Sequence, residues 1–415
     1  MGKWSRRAFI TTGVLTGGAV IIGVAIRPGN RADKVASLIA TEEETVFNIW
    51  IKIAPDNTVT IYVPHAEMGQ GVRTTLGMML ADEMDADWDR VTVLEAPAHR
   101  EYANHAFIQG FIAGDARFPS FLFETAKGLF LTISQLANLQ VTGGSASTRF
   151  TGMISLRVAG AAAKAVLLQA AADQWRVPIA ELTAADSHVL HAGSNRRATF
   201  ASLAPAAAAL SAPAQPVLKT PDQYKLMGRS LPRYDSVLKV DGSAQFGLDV
   251  SLPGLKYATV RAAPVFGAKV ESYNEAAALT LPGVLKIIDL GDAVAVVADG
   301  YWHAQQALTQ LDVKFSSTSH ESVQQADLYE QFDAALDDSS NWKKDVHIGD
   351  PAPAFAAAHQ VISARYQVPF LAHSPMEPMN CTAWVHDGRC ELWTGSQNPL
   401  GFAADAAKAI DFDVE

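Results

Sequence analysis

The chain has 415 residues, 49% of them hydrophobic and 18% charged, with a formal net charge of −10. That length supports two or three domains with cores of their own, and the acidic balance with no basic stripe past the N-terminus argues against a nucleic-acid groove. There are two cysteines and no Cys-x-x-Cys spacing, so the chain carries no iron–sulfur cluster or zinc site of its own.

Ser5-Arg6-Arg7-Ala8-Phe9-Ile10 precedes a mild, Gly- and Thr-rich apolar run to Ile26. Paired arginines ahead of such a run are the twin-arginine export signal, which carries prefolded, cofactor-loaded proteins to the bacterial periplasm. The run falls somewhat short of the roughly 20 apolar residues of a spanning helix. No clear small-residue cleavage site follows, which leaves open its retention as an inner-membrane anchor. Val46–Ala54 alternates as a strand, Asp56-Asn57 turns, and Val59–Val63 is the hairpin partner. Next come Met68-Gly69-Gln70-Gly71 and a helix marked by Val72, Leu76, Met79, Leu80 and Met84. Two glycines at a helix start leave N–H groups uncovered, and these with the helix dipole attract anions. Gln70 adds an amide that both donates and accepts. A strand follows at Val91–Glu95. The small-residue loop Gln140–Thr148 opens toward a long Ala-rich helix, Ile154–Trp175, and forms a second potential anion cradle.

Ala201–Pro216 is mostly Ala, Pro and Ser, a linker composition. A compact α+β module begins near Gly228, with strands at Tyr257–Ala262, Val284–Asp289, Ala293–Ala298 and Leu311–Phe315 and a helix from Tyr301. A third unit opens with a strand at Val361–Val368 and continues to a hairpin, Thr382–His386 with Arg389–Trp393, joined by Asp387-Gly388. That register sets Cys390 opposite Val385 and Cys381 opposite Thr394, four strand positions apart and beyond the ~7 Å limit for a disulfide. Both cysteines are read as buried small hydrophobes. The final helix is Gly401–Ile410. A domain ending after one hairpin and one helix leaves its sheet without partners, so the chain is expected to be incomplete.

The segment His373–Thr382 is rich in polar and special-backbone residues, and Glu377, between Met376 and Pro378, is expected to be partly desolvated. Nothing places it beside a substrate. Thr394–Pro399 offers hydroxyl and amide groups at a strand end, which suit turns as well as a pterin-like edge. There is no Walker-type Gly-Lys-Ser/Thr and no Gly-x-Gly-x-x-Gly opening a βαβ unit, and the eleven histidines lack His-x-x-x-His spacing. Glycine turns, hydroxyl loops and no metal-ligand cluster describe a site that holds a large polar cofactor by hydrogen bonds, the cofactor bringing the metal's ligands.

With these motifs the chain resembles the molybdopterin-binding large subunit of the xanthine dehydrogenase family, in the exported branch with isoquinoline 1-oxidoreductase β subunits and membrane-bound aldehyde dehydrogenases. Met68–Gly71 with Thr74 and Thr75 matches the family's pterin-binding turn, and Gln140–Arg149 its second cofactor loop. Arg233, Lys239-Val240-Asp241-Gly242 and Ala295–Ala298 mark a hammerhead domain. The resemblance implies an α+β fold in which molybdenum-cofactor-binding domains flank an α/β hammerhead domain, C-terminally truncated. In ranges these are 1–30 (signal or anchor), 46–203 (first cofactor domain), 204–227 (linker), 228–318 (hammerhead) and 330–415 (start of the second cofactor domain). The implied cofactor-binding residues are Met68, Gly69, Gln70, Gly71, Thr142, Gly143, Gly144, Ser145 and Ser147. The implied cofactor is molybdopterin with molybdenum, usually in the cytosine dinucleotide form. The implied reaction is hydroxylation of a carbon next to nitrogen, or of an aldehyde carbon, with oxygen from water. Electrons would leave through a [2Fe-2S] subunit, often to a membrane cytochrome c. The family's base glutamate falls beyond Glu415, and Glu377 is not its replacement, so the chain alone is expected to be inactive. The rival reading is a cofactor-free scaffold or assembly protein of a periplasmic complex.

Overall fold

The computed structural model describes residues 31–114, 118–343, 345–346 and 348–414, so the export motif lies outside the described residues. The chain forms two compact units: one runs to Leu248 and includes Met379–Glu415, the other is Asp249–Pro378.

In the first unit, helix α1 (Arg31–Ile39) leads to strands β1 (Thr45–Asn48), β2 (Ile51–Ile53) and β3 (Val59–Val63), helix α2 (Val72–Met84) and strand β4 (Val91–Glu95). β1, β2 and β3 pair antiparallel, and β3 pairs in parallel with β4, with α2 as the crossover. All five β3 positions are buried, which explains its run of β-branched and aromatic residues without polar alternation. Helices α3 (His105–Ala113) and α4 (Ser120–Leu136) follow. The long Ala-rich helix begins earlier than its apolar spacing indicates: a widened, π-type segment at Ser147–Leu156 runs into α5 (Arg157–Trp175). Alanine and glycine dominate α5 because it touches α2 backbone to backbone. A Cβ on Gly160 would sit 2.4 Å from the Leu80 carbonyl oxygen.

A three-stranded antiparallel sheet, β5 (Leu182–Ala185), β6 (His188–His191) and β7 (Arg196–Thr199), precedes helix α6 (Phe200–Ala208). Helix α6 takes in the first residues of the stretch 204–227, read as a linker from its composition. Phe200, Leu203, Ala204 and Ala207 are buried in the first unit's core. An alanine-rich stretch is the best helix-forming composition as well as a linker-like one, and the Thr199 hydroxyl caps the helix by accepting from Ser202 N–H. The stretch beyond it is fastened to α2. The carboxylate of Asp82, buried on α2, accepts from the backbone N–H groups of Lys225 (3.1 Å), Leu226 (3.0 Å) and Met227 (2.9 Å). It also pairs with Lys219 Nζ at 3.0 Å. Next to it, Glu83 receives Arg157 Nε (2.7 Å) and Lys219 N–H (3.0 Å), and Asp85 receives Lys164, Lys219 and Lys225.

In the second unit, β8 (Tyr257–Ala262), β10 (Val284–Asp289) and β11 (Ala293–Ala298) form an antiparallel sheet with β11 in the middle, against helix Tyr301–Gln310. Val294, Val296, Ala304 and Leu308 are at its core. A short β9 (Val270–Ser272) pairs with β12 (Lys314–Phe315), to which the expected strand Leu311–Phe315 contracts. Of the expected hammerhead markers, Ala295–Ala298 is on β11, whereas Arg233 and Lys239–Gly242 belong to the first unit. Val361–Val368, expected as a strand, joins no sheet among the described residues, and Ile362, Tyr366 and Val368 are exposed. Its β-branched alternation is sound, but a strand needs a partner's ladder to exist.

The 379–414 part of the first unit contains the hairpin β13 (Cys381–His386) and β14 (Arg389–Thr394) in the expected register, with Cys381 opposite Thr394 and Val385 opposite Cys390. Asp387 and Gly388 take positive φ values of 47° and 72°, as a type I′ turn requires. The cysteines are free, but Cys381 is exposed and Cys390 half-buried, so the expected burial is corrected. Alternation along a hairpin sets which face a residue shares; it does not supply a layer to cover that face. The last helix is Pro399–Ala409, its proline at the first turn.

Burial pushes the Asp82 carboxyl up, and the N–H of Met227, Lys219 and the N–H of Lys225 and Leu226 outweigh it, so it lies below the usual range. Breaking this buried, charged arrangement with Asp82→Ala is expected to cost about 3–5 kcal/mol, since it leaves three N–H groups without their acceptor and Lys219 with Asp85 as its remaining carboxylate. Urea unfolding together with amide exchange checks this. Loss of protection should concentrate at residues 219–227.

Candidate cofactor site

β3 ends at Val63 and α2 begins at Val72, and the turn between them is the first candidate site. Gly69 and Gly71 both take positive φ, 100° and 78°, and Gly71 is the residue before the helix. Left-handed backbone of this kind favours glycine because a Cβ is strained there. The turn does not present an open row of N–H groups. The Glu67 carboxylate accepts from Gly69 N–H (2.8 Å), Gly71 N–H (3.0 Å) and Arg73 N–H (3.2 Å). Gln70 closes the turn on itself: its Oε1 accepts from Met68 N–H at 2.6 Å and its Nε2 donates to the Ala66 carbonyl at 2.9 Å. The anion cradle expected at Met68–Gly71 is therefore occupied by an anion of the chain itself. Glu67 was not singled out from the sequence, although an acidic residue just before the first turn of a helix is the signal for it.

Arg233 holds the turn from outside. Its Nη2 is 3.0 Å from the Glu67 carboxylate and its Nη1 donates to the Gly69 carbonyl at 2.6 Å. Tyr234 N–H donates to Thr74 Oγ1 at 2.9 Å. Between this segment and the first turns of α2 lies a cleft of about 490 Å³, lined on the helix side by Gln70, Gly71, Thr74 and Thr75 and on the other by Arg229, Ser230 and Arg233. Hydroxyls and guanidinium groups suit phosphate and neutral heteroatoms, and none of the described residues lining the cleft is acidic. Met68, expected in the site, is exposed and not among the lining residues. Arg229 and Ser230 fall where a domain start was read, and only the fastening of 219–227 to α2 brings them here.

The second loop is tied to the first through Ala66 N–H, which donates to Thr142 Oγ1 at 2.8 Å. Thr142 N–H in turn donates to the Gln397 carbonyl at 2.7 Å, and Gln140 N–H to Asn398 Oδ1 at 2.8 Å. Gly143 N–H donates to the buried Ser147 hydroxyl at 3.1 Å. A Cβ on Gly143 would lie 2.5 Å from the Phe107 ring, so glycine is required by packing. Only Gly144 and Ser145 are exposed, while Thr142 and Ser147 are committed to internal bonds. None of the loop's residues lines the cleft beside α2. Glu377 is half-buried and lies in neither loop.

Two stretches match family models, each described as a molybdopterin cofactor-binding domain: residues 13–105 and residues 335–415. The chain is related to the molybdopterin-binding large subunits of the xanthine dehydrogenase family. It is 29% identical to the β subunit of isoquinoline 1-oxidoreductase from Brevundimonas diminuta, over 97% of this chain and 53% of that protein. It is 25% identical to a membrane-bound aldehyde dehydrogenase of Gluconacetobacter polyoxogenes, over 95% of this chain and 48% of that one. Identity to a nicotinate dehydrogenase chain of Pseudomonas putida is 27%, covering 90% of this chain and 29% of the relative. The chain thus spans about half the length, or less, of these relatives. The α+β class with molybdopterin-binding domains stands. The first matched stretch contains the whole of β3, the Glu67 turn and α2, and the second contains Gln397 and Asn398, which brace the Thr142 loop.

Two outcomes follow for this relative of the molybdenum hydroxylases. Glu67→Gln keeps an acceptor but removes the charge that Arg233 and the N–H groups face, with an expected loss of about 1–3 kcal/mol. Faster amide exchange at Gly69, Gly71 and Arg73, unchanged elsewhere in α2, checks it. Burial lowers the His65 pKa to about 4; the ring is bonded through Nε2 to Thr151 Oγ1 at 2.8 Å. A folded-state value below the unfolded one means that the unfolded chain takes the proton first as pH falls below about 6.5. Stability is therefore full above that pH and declines toward pH 4. The slope approaches about 1.4 kcal/mol per pH unit for this group, and His65→Gln should flatten the decline in urea midpoints between pH 7 and pH 5.

Proposed function

We propose that this chain is the cofactor-binding part of a molybdenum hydroxylase, and that the cleft between the start of α2 and Arg229–Arg233 takes the phosphate-bearing end of molybdopterin. The observation that carries this is the lining itself: Thr75 and Ser230 hydroxyls and two arginines set among Met78, Met79 and Met227, with no carboxylate among the described lining residues. Such a set fits a polar, anionic, metal-free portion of a cofactor. Arg229 neutralises and orients phosphate oxygens, Thr75 and Ser230 donate to them, Arg233 adds field while paired with Glu67 and Asp235, and Gly71 leaves the approach clear, since a Cβ there would meet nothing within 4 Å. Bound there, the molybdenum cofactor supplies two-electron oxidation of a substrate carbon with oxygen from water. The Thr142–Ser147 loop acts one step away, by holding Ala66 and so the turn.

The names of the relatives support a substrate that is an N-heterocycle such as isoquinoline or nicotinate, or an aldehyde. We extend the proposal to the cytosine dinucleotide form of the cofactor, a [2Fe-2S] partner protein and a membrane cytochrome c as electron exit. Periplasmic location through the Ser5–Ile10 export motif belongs to the same proposal.

Molybdenum and pterin analysis of the protein purified with its iron–sulfur partner tests the reading, with both present near one per chain as the expected result. Arg229→Ala and Thr75→Ala should each lower the bound pterin by about tenfold, the effect of a lost charge-assisted bond, at unchanged melting temperature. Absence of both molybdenum and pterin would favour the cofactor-free scaffold instead.

A further inference from the structure

A second cavity in the first unit, of about 440 Å³, lies away from the candidate cofactor cleft and shares no lining residue with it. Its walls are aromatic on one side, Phe47, Trp50 and Phe123, and carry His105, Ser155 and Lys127 elsewhere. Trp50 is held in place edge-on against Tyr102, with ring centroids 5.6 Å apart. His105 and Ser155 are 4% and 7% exposed, and both His105 Nδ1 and Ser155 Oγ are buried atoms with no hydrogen-bond partner. Two such orphans in one cavity are costly, because each buried polar atom without a partner forfeits about 1–3 kcal/mol. A single water, about 30 Å³ of liquid, fills little of this space.

The charges around the cavity narrow what would fill it. Arg31 shares the Glu101 carboxylate with Lys34, at 3.0 and 2.9 Å. Lys127 has only a loose pair, Glu124 at 3.9 Å. Burial pushes the Lys127 ammonium below its ordinary value, Glu124 pulls it up and Arg31 pushes it further down. Burial keeps His105 neutral, and the charges of Arg31 and Lys127 act in the same direction. Lys127 beside two neutral groups able to donate accommodates a single negative charge, and Glu124, on the same lining, opposes a phosphate dianion.

We infer that this cavity is a binding site for a small aromatic monocarboxylate, its ring against Phe47 and Trp50 and its carboxylate taken up by Lys127, His105 and Ser155. The aromatic walls supply most of the affinity through burial, and the polar groups select the charge. The site is independent of the molybdopterin reading, since none of its residues lines the cofactor cleft.

Isothermal titration of the 415-residue chain, with and without molybdenum, using benzoate and benzyl alcohol as probes, tests it. Benzoate is expected to bind saturably at one per chain and at least about tenfold more tightly than the alcohol, equally in both preparations. Lys127→Met should abolish the preference for benzoate while leaving the alcohol's affinity in place, and Ser155→Ala should weaken benzoate by about threefold or more. Phe47→Ala, which removes part of the aromatic wall, should weaken both. No saturable binding to chain of native circular dichroism overturns the inference, as does benzoate affinity unchanged by Lys127→Met.

Discussion

One buried carboxylate organises the first unit. Asp82 faces three consecutive backbone N–H groups, Lys225 to Met227, and the ammonium of Lys219. A carboxylate that accepts several N–H bonds is held ionised even where burial opposes it, and a segment of chain bound through its backbone is fixed in register rather than by side-chain bulk. The two residues after Met227 are Gly228 and Arg229, so the register set at Asp82 decides that Arg229 and Ser230, and then Arg233, face the first turns of α2. The candidate cleft is a consequence of that anchoring: without it one wall is missing.

The same helix shows that a sequence motif marks uncovered N–H groups without naming what meets them. Helix starts with uncovered N–H groups attract anions, and this one has its anion already, from Glu67 four residues before Gly71. A cofactor phosphate brought to those N–H groups would displace a carboxylate that Arg233 also holds, exchanging one ion pair for another with little net gain. The cleft beside the turn is the more favourable place for an anion, because Arg229 and the hydroxyls are reached without breaking the turn. Gly69 and Gly71 then serve the chain's path, allowing the positive φ that sets Glu67 over the helix.

What could be read in the sequence follows from the range of the interactions involved. Local chemistry was legible: the Asp387-Gly388 turn fixed the hairpin register residue by residue, and the apolar spacing after Gly71 marked α2. Apolar alternation at Val361–Val368 was also local, but a strand is a relation to another strand, and no sheet among the described residues takes it up. The stretch at 204–227 shows the opposite case. Its composition is that of a linker, while its structure is set by Asp82, more than 130 positions away at the Lys219 bond. Glu67 escaped notice beside two conspicuous glycines, although its own position just before the helix carried the signal. Cys381 was misjudged because residue type predicts burial only where another layer exists to bury it.

The two glycine-rich loops share a cofactor assignment in the sequence, and their bonds give them different jobs. Thr142 is a junction: its hydroxyl takes Ala66 N–H from the β3–α2 turn, and its own N–H goes to the Gln397 carbonyl. Both bonds are buried or half-buried, where an unmade partner costs more than a made bond contributes. The pairing therefore constrains geometry more than it stabilises. The start of the turn, the second loop and the 397–398 segment are held to one arrangement through Thr142, with Gln140 N–H on Asn398 Oδ1 beside it. Each of the two family-matched stretches contributes one of Thr142's partners, Ala66 from the first and Gln397 from the second. The hydroxyl-rich loop is thus better understood as the piece that aligns the two stretches than as a second phosphate cradle. Its small residues follow from that role, since Phe107 leaves no room for a side chain at Gly143 and Ser147 must fold back to satisfy that residue's N–H.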